Sequence, residues 1–389
     1  MLLLEESKKD ALATTLSQEL SATPFACSSL THLSGGTTNF VFRGVLAAPI
    51  PAQDGNLTSS VIVKHSTDFV AVNPDFSLDV SRCGFEGFML NSLNKFPAVT
   101  TSDHITINVP HIFQSSGQTN TQIIEDFPDA IDLKTVFVSP AAKSILLEPF
   151  STSIGRALGL WLRLLHNWAS APAQVELRAE IGKNEPMRRL KRRITFESFI
   201  AVVEQFPELL EGHKEVLEDV KAIGMQDFER GMGNEGGEDW GIVHGDFWTG
   251  NVLLPDLSSA ELHELDEIKL SVIDWEFAQF GHRAYDLGQM IGDLYERKHF
   301  KDVDGALAAI YGFINGYGEV SEEMAFRTAI HAGVHLICWY NRRPPKSPLK
   351  CTPEQGLSVV KLGRDFVVKG CKKDRDWFEG SVLASLFQK

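Results

Sequence analysis

The sequence is poor in the features that would mark a secreted, membrane-spanning or nucleic-acid-binding chain. Its 389 residues include five cysteines, Cys27, Cys83, Cys338, Cys351 and Cys371, odd in number, widely scattered and without a CxxC pair. Neither a disulfide framework nor a zinc knuckle follows from that pattern, and the thiols are expected to be reduced. No apolar run approaches the roughly 18 residues a membrane span needs. The start, MLLLEESKKD, breaks into charge after three leucines, too soon for a secretory signal, and a cytoplasmic protein is expected. Positive charge is also scarce: 37 Lys and Arg face 51 Asp and Glu, for a formal charge of −14. Proteins dedicated to nucleic acid gain affinity by neutralising phosphates with Lys and Arg, so this balance argues against that class. It mildly favours cationic ligands.

What is present is an ordinary globular composition, 43% hydrophobic and 23% charged, with no internal repeat. The N-terminal third reads as a helix followed by strands. FVFRGVL and SSVIVKHS are β-branched and aromatic runs separated by the turn-forming PIPAQDGNLTS. A helix is expected through GFEGFMLNSLNKF, with Phe85, Phe88, Met89 and Leu93 on one face, and TQIIEDF reads as one more buried strand. Beyond it the pattern turns helical. In STSIGRALGLWLRLLHNW, the residues Ile154, Leu158, Leu162 and Leu165 form a stripe, with Ser151 or Thr152 as the expected N-cap. NVLL and KLSVID are two short strands, and the chain is mostly helix from Tyr285 onward. The boundary between the two halves is expected near Glu125 to Phe127.

The chemistry is concentrated in IVHGDFWTGNVLL, Ile242 to Leu254, and in LSVIDWEFAQ shortly after it. Phosphoryl transfer asks a protein to hold phosphates, place metal ions and aim an acceptor hydroxyl. Asp246 is a candidate to accept or orient the hydroxyl proton. Asn251 stands at the spacing of an H-R-D-x-x-x-x-N loop and can reach a metal. Asp274 ends an apolar strand with a carboxylate of the kind Mg²⁺ prefers, and Glu276 is expected to face the same side two residues on. A hairpin between Asn251 and Asp274 would bring them together. Upstream, Gly35 and Gly36 precede a strand where backbone could approach phosphates, or simply turn. Lys64 lies inside an apolar strand, an expensive place for an ammonium without a charged partner, and Glu86 on the next helix is the expected one.

Along LSGGTTNFVFR, VIVKHS, IIEDF, LRLLHNW, VHGDFWTGNVLL and VIDWEFAQFGHRAYDLG, roughly residues 30 to 295, the chain resembles the aminoglycoside phosphotransferase and choline kinase branch of the protein-kinase-like fold. Within that branch it is most similar to the methylthioribose kinase and hydroxytryptamine kinase families. The resemblance implies an α+β, bilobal protein-kinase-like architecture: a small strand-rich N-lobe, residues 1–127, and a larger, mainly helical C-lobe, residues 128–389. It implies ATP between the lobes, an adenine edge bonded to backbone around Glu125 to Phe127, and two Mg²⁺ ions. It also implies a twin arginine near the substrate, matched here by Arg342 and Arg343. Methylthioribose kinases usually carry serine where this chain has Asn251.

The expected activity is transfer of the ATP γ-phosphoryl group to a hydroxyl of a small molecule: a sugar, an amino alcohol or an aminoglycoside-like compound. A protein kinase would need a long activation segment, but Asp274 and Asp286 are only twelve positions apart. Trp248, Trp339 and Tyr340 are candidate aromatic walls for an amine. The competing class is a non-catalytic nucleotide sensor or scaffold that kept the fold. Several features are expected to be structural: His244 fixing its loop, His331 and His335 as helix histidines without a metal, and the basic run Arg188 to Arg193 as a solvated face. Asp286 is read either as a helix N-terminal charge or as a brace for the loop.

Overall fold

The computed structural model describes residues 2–34, 36–52, 55–230, 237–256, 265–341 and 351–388. Gly35, Arg342 and Arg343 lie outside the described residues. The chain divides into two compact units, one comprising residues 1–95 and 109–130, the other residues 96–108 and 131–389.

The first unit is a twisted antiparallel sheet backed by a helix. After α1 (Leu2–Leu20) come β1 (Cys27–His32), β2 (Phe40–Pro51) and β3 (Leu57–His65), then α2 (Arg82–Leu93). The chain spends β4 (Ile105–Asn108) on the second unit and returns with β5 (Ile112–Ser116) and β6 (Thr121–Glu125), giving the order β1-β2-β3-β6-β5. Alternation along the strands sends Phe42, Leu46, Val61, Val63 and Ile123 to one face, where Leu16 and Leu20 of α1 close the core. On α2 the buried stripe is Cys83, Glu86, Met89, Leu90 and Leu93. Phe85 and Phe88, expected on that face, are only half-buried.

The stretch expected as one N-lobe, residues 1–127, therefore gives up residues 96–108 to the second unit. The reason is strand pairing: β4 runs parallel to a strand far downstream, Ile105 opposite Ile268 through Asn108 opposite Ser271.

The second unit is mainly helical. It contains α3 (Glu148–Ser170), α4 (Glu185–Arg192), α5 (Lys214–Glu229), β7 (Trp240–Val243), β8 (Val252–Pro255), β9 (Ile268–Val272), β10 (Gln279–His282), α6 (Ala284–Lys301), α7 (Gly305–Tyr317), α8 (Glu322–Cys338) and α9 (Pro353–Cys371), with shorter turns between. The α3 stripe Ile154, Leu158, Leu162 and Leu165 is buried as its period predicts. Its cap is not Ser151 or Thr152. The helix begins a turn earlier at Glu148, with Pro149 in the first turn, where the missing N–H costs nothing, and Ser151 is buried inside it. Strands β8 and β9 form the expected hairpin, Val252 opposite Val272. Strands β7 and β10 form a separate antiparallel pair, Trp240 opposite His282 through Val243 opposite Gln279. The turn after β7 carries the His-Gly-Asp sequence, and β10 leads directly into α6.

Candidate active site

In the first unit, Lys64 on β3 is 6% exposed and Glu86 on α2 is 1% exposed. The Lys64 Nζ lies 2.8 Å from Glu86 Oε1. An ammonium this deep needs such a partner, because the desolvation cost of each charge is large. One turn before Glu86, the fully buried Arg82 ties α2 to the sheet. It donates to the Thr67 carbonyl at 2.8 Å, the Asp79 carbonyl at 3.0 Å and Asn39 Oδ1 at 2.8 Å, while Ser66 Oγ donates to the same Asn39 oxygen. Gly36 has little room for a side chain: a Cβ there would lie 2.8 Å from the Asn39 carbonyl oxygen. At the end of β6, the Glu125 N–H donates to the His111 carbonyl and the Glu125 carboxylate accepts the His111 N–H. The Phe127 carbonyl accepts the Ala130 N–H in a turn. Between them Asp126 is held by Arg43 and Ser60.

In the second unit, the 244–251 loop is fixed at every turn. Gly245 has φ +81°, and a Cβ there would sit 2.2 Å from the Phe277 carbonyl oxygen. Only glycine suits both demands. The buried Asp286, at the start of α6, accepts the N–H of His244 at 2.8 Å and of Gly245 at 2.9 Å. It is the loop's brace, not a bare helix-terminal charge. His166 Nε2 donates to Asp286 at 3.1 Å, and the Tyr317 hydroxyl donates to His166 Nδ1 at 3.0 Å. Burial pushes the Asp286 carboxyl up, but the hydrogen bond from His166 and the neighbouring ring and backbone donors outweigh it, leaving it below its usual range. Burial pushes Tyr317 up to about 12. His244 donates from Nε2 to the Ile273 carbonyl and accepts the Asp246 N–H at Nδ1. Burial holds its pKa down, consistent with a neutral ring that fixes the loop.

Asp246 is gripped at both oxygens. Gln289 Nε2 donates to Oδ1 at 2.5 Å, and Asn251 Nδ2 donates to Oδ2 at 3.2 Å and to the Asp246 carbonyl at 2.9 Å. Further along, Thr249 donates its N–H and its hydroxyl to Asp293. Asp286, Gln289 and Asp293 fall at i, i+3 and i+7 on α6, so one helix face serves the whole loop. Gln289 and Asp293 were not singled out from the sequence. Their spacing from Asp286 is the signal that could have found them.

The Asn251 carbonyl accepts the Ile273 N–H at 3.0 Å across the β8–β9 hairpin, which sets Asn251 beside Asp274. Asp274 adopts a left-handed conformation, φ +66°, and strand geometry ends before it. The expectation that Glu276 faces the same way by strand alternation is corrected: residues 275–277 form a 3-10 turn. The turn nonetheless brings carboxylate oxygens of Asp274 and Glu276 within 4.8 Å of each other. Asn184 pins that turn by donating to the carbonyls of Glu276 and Ala278, and the Trp275 indole donates to the Val272 carbonyl. With its amide nitrogen on Asp246, Asn251 offers an incoming ion only its Oδ1. Together with two carboxylates this is an all-oxygen donor set, which fits a hard divalent cation and not zinc or copper.

The aromatic candidates are already engaged. The Trp248 ring lies over Gly250, and the Lys134 ammonium sits 5.1 Å from its centroid. Trp339 stacks on Phe300 at 4.2 Å and Tyr340 meets Phe206 edge-on. The basic run is a solvated face only in part: Arg189 and Arg193 are exposed, while the others are held. Arg188 and Arg192 pack their guanidinium groups on Phe228, Arg188 caps the end of α5 by donating to the carbonyls of Asp227, Phe228 and Arg230, and Lys191 is buried. His331 stacks on Tyr285. His335 approaches Glu296 at 3.3 Å, near Asp293, but Arg297 already pairs with both carboxylates and supplies the cation.

Residues 139–322 match the family described as "Phosphotransferase enzyme family". A phosphotransferase named FrzJ from Cladobotryum sp is 32% identical, covering 98% of this chain and 98% of its own. The chain belongs to the phosphotransferase enzyme family. The 4-hydroxytryptamine kinase of Psilocybe cubensis is 23% identical to this phosphotransferase over 85% of each chain. The methylthioribose kinase of Bacillus velezensis is 24% identical, covering 77% of this chain and 68% of its own. The phosphotransferase thus has relatives named for small-molecule kinase activity, as the sequence motifs implied, and its strand-rich first unit and helical second unit are those expected for the family's architecture.

Proposed function

We propose that this phosphotransferase moves the γ-phosphoryl group of ATP to a hydroxyl of a small molecule. The observation that carries the reading is the 244–251 loop: an aspartate whose two oxygens are held by Gln289 and Asn251, on a backbone clamped by Asp286 and Asp293. Such rigidity serves a group that must meet a reacting hydroxyl in one orientation. Asp246 takes the hydroxyl proton or aligns it, as the acceptor oxygen bonds to the γ-phosphorus and the bond to the bridging oxygen breaks, releasing ADP.

Asn251 Oδ1 and Asp274, with Glu276 assisting, would hold Mg²⁺, whose part is to neutralise charge on the phosphate oxygens. Lys64, set by Glu86, would bind the α- and β-phosphates, the glycine turn at Gly36 would let backbone approach them, and backbone at Glu125 to Phe127 would meet the adenine edge. The protein's own contribution is then electrostatic and positional. Five free thiols support a reducing, cytoplasmic setting. The acceptor class fits the relatives, named for a hydroxylated aromatic amine and a thioribose sugar.

The test is to incubate the wild-type protein and its Asp246→Asn variant with γ-labelled Mg-ATP and a deproteinised small-molecule extract, then separate labelled products. A labelled metabolite made by the wild type and not by the variant supports the reading. Equal labelling by both proteins removes Asp246 from the chemistry.

A further inference from the structure

Gln289 is the neutral side chain in a line of three polar groups that runs from the buried Lys191 to the half-buried Asp246. On one side its Nε2 donates to Asp246 Oδ1, and on the other its Oε1 accepts from the Nζ of Lys191 on α4. Gln289 and Lys191 are each only 6% exposed. An ammonium only donates, and an ionised carboxylate only accepts. An amide placed between them has one satisfactory orientation, oxygen toward Lys191 and nitrogen toward Asp246. The lysine therefore fixes which end of Gln289 the aspartate meets. Lys191 is otherwise an expensive residue for this position, because a buried ammonium is stabilised only by groups that face it.

We propose that Gln289, oriented by Lys191, is a positioning residue that sets the plane of the Asp246 carboxylate for the acceptor hydroxyl. This inference rests on the reading of Asp246 as the group that meets that hydroxyl. Of the two grips on the carboxylate, the one from Asn251 belongs to a residue assigned to the metal. The grip from Gln289 comes from outside the loop, on a helix whose same face also fixes the loop backbone through Asp286 and Asp293. The arrangement separates two tasks, with the backbone held by carboxylates and the reacting side chain held by an amide.

The experiment uses the full chain as wild type, Asp246→Asn, Gln289→Leu, Gln289→Glu, Lys191→Met and the double variant Asp246→Asn with Gln289→Leu. Turnover is read as phosphate transferred from Mg-ATP to a mixed pool of hydroxyl-bearing metabolites and to water. Nucleotide affinity is read by titration with a non-hydrolysable ATP analogue, and folding by thermal melting. Gln289→Leu and Lys191→Met are expected to lower kcat at least tenfold while the analogue's Kd stays within twofold. Gln289→Glu keeps the shape but turns an acceptor toward an acceptor, and is expected to lose turnover likewise. In the Asp246→Asn background, Gln289→Leu is expected to cause no further loss. Wild-type turnover in Gln289→Leu and Gln289→Glu beside an inactive Asp246→Asn overturns the inference alone. So does a full additional loss in the double variant, which is the signature of a merely structural role. Wild-type turnover in Asp246→Asn removes the underlying reading as well.

Discussion

Asp286 accepts the Gly245 N–H through Oδ1 at 2.9 Å while its other oxygen takes the N–H of His244 and a ring proton from His166. One carboxylate thus satisfies two buried backbone donors at the sharpest point of the loop. Removing it leaves both N–H groups unpaired, at about 1–3 kcal/mol each. Asp286→Ala is expected to lower stability by roughly 2–6 kcal/mol, measured by urea unfolding, and to lower turnover with it. An unchanged unfolding midpoint would show that the loop keeps its shape without the brace.

Gly245→Ala is predicted to be worse than its left-handed φ alone requires. A non-glycine residue in that region costs about 1–2 kcal/mol, and here the added Cβ would also meet the Phe277 carbonyl oxygen at 2.2 Å. Gly212 is the control: its φ is +72° and nothing lies within 4 Å of a Cβ built there. Gly212→Ala should cost only the conformational part. Equal losses of stability in the two variants would mean that the contact with Phe277 relaxes freely.

The Lys64–Glu86 pair gives a third prediction, about stability apart from activity. Breaking a buried pair by removing one partner typically costs 3–5 kcal/mol, because the remaining charge is left without its counter-charge. Lys64→Met and Glu86→Leu are each expected to fall in that range, and the double variant to recover a large part of the loss while remaining inactive. Additive losses in the double variant, by chemical denaturation, would show that the two side chains stabilise the fold through other contacts.

The ion pair was legible because a lysine inside an apolar strand has few physical solutions, and a glutamate on the next helix supplies one. The β8–β9 hairpin was legible from two apolar runs flanking the acidic positions. Less accessible was anything that depends on elements meeting at long range. The transfer of residues 96–108 to the second unit rests on Ile105 pairing with Ile268, and local pattern carries no record of it. Glu276 was expected by strand alternation, yet the left-handed Asp274 ends that periodicity. Arg188 and Arg192 of the basic run read as solvated until Phe228 and the open end of α5 are placed under them. Gln289 was hidden for a related reason. Its amide has meaning only between Lys191 and Asp246, each remote in sequence.

The last prediction concerns acid. His166, His244, His282 and His331 all have pKa values held below the usual histidine range, chiefly by burial, and for His282 and His331 well below it. His331 is fully enclosed against Tyr285 and Phe196, and its Nδ1 has no hydrogen-bond partner among the described residues. In the unfolded chain these rings take up protons near pH 6.5, whereas in the folded chain they do so only at lower pH. The unfolded state then binds more protons, so stability rises with pH in this window. Their contribution is complete above about pH 6.5 and is lost progressively as pH falls toward the folded values. Each such ring steepens the loss by up to about 1.4 kcal/mol per pH unit. Urea unfolding at pH 7.5 and 5.5 should show the decline, and His331→Phe, which cannot protonate, should make it shallower. An identical pH dependence in wild type and His331→Phe would mean that the ring at 331 titrates alike in the folded and unfolded chains.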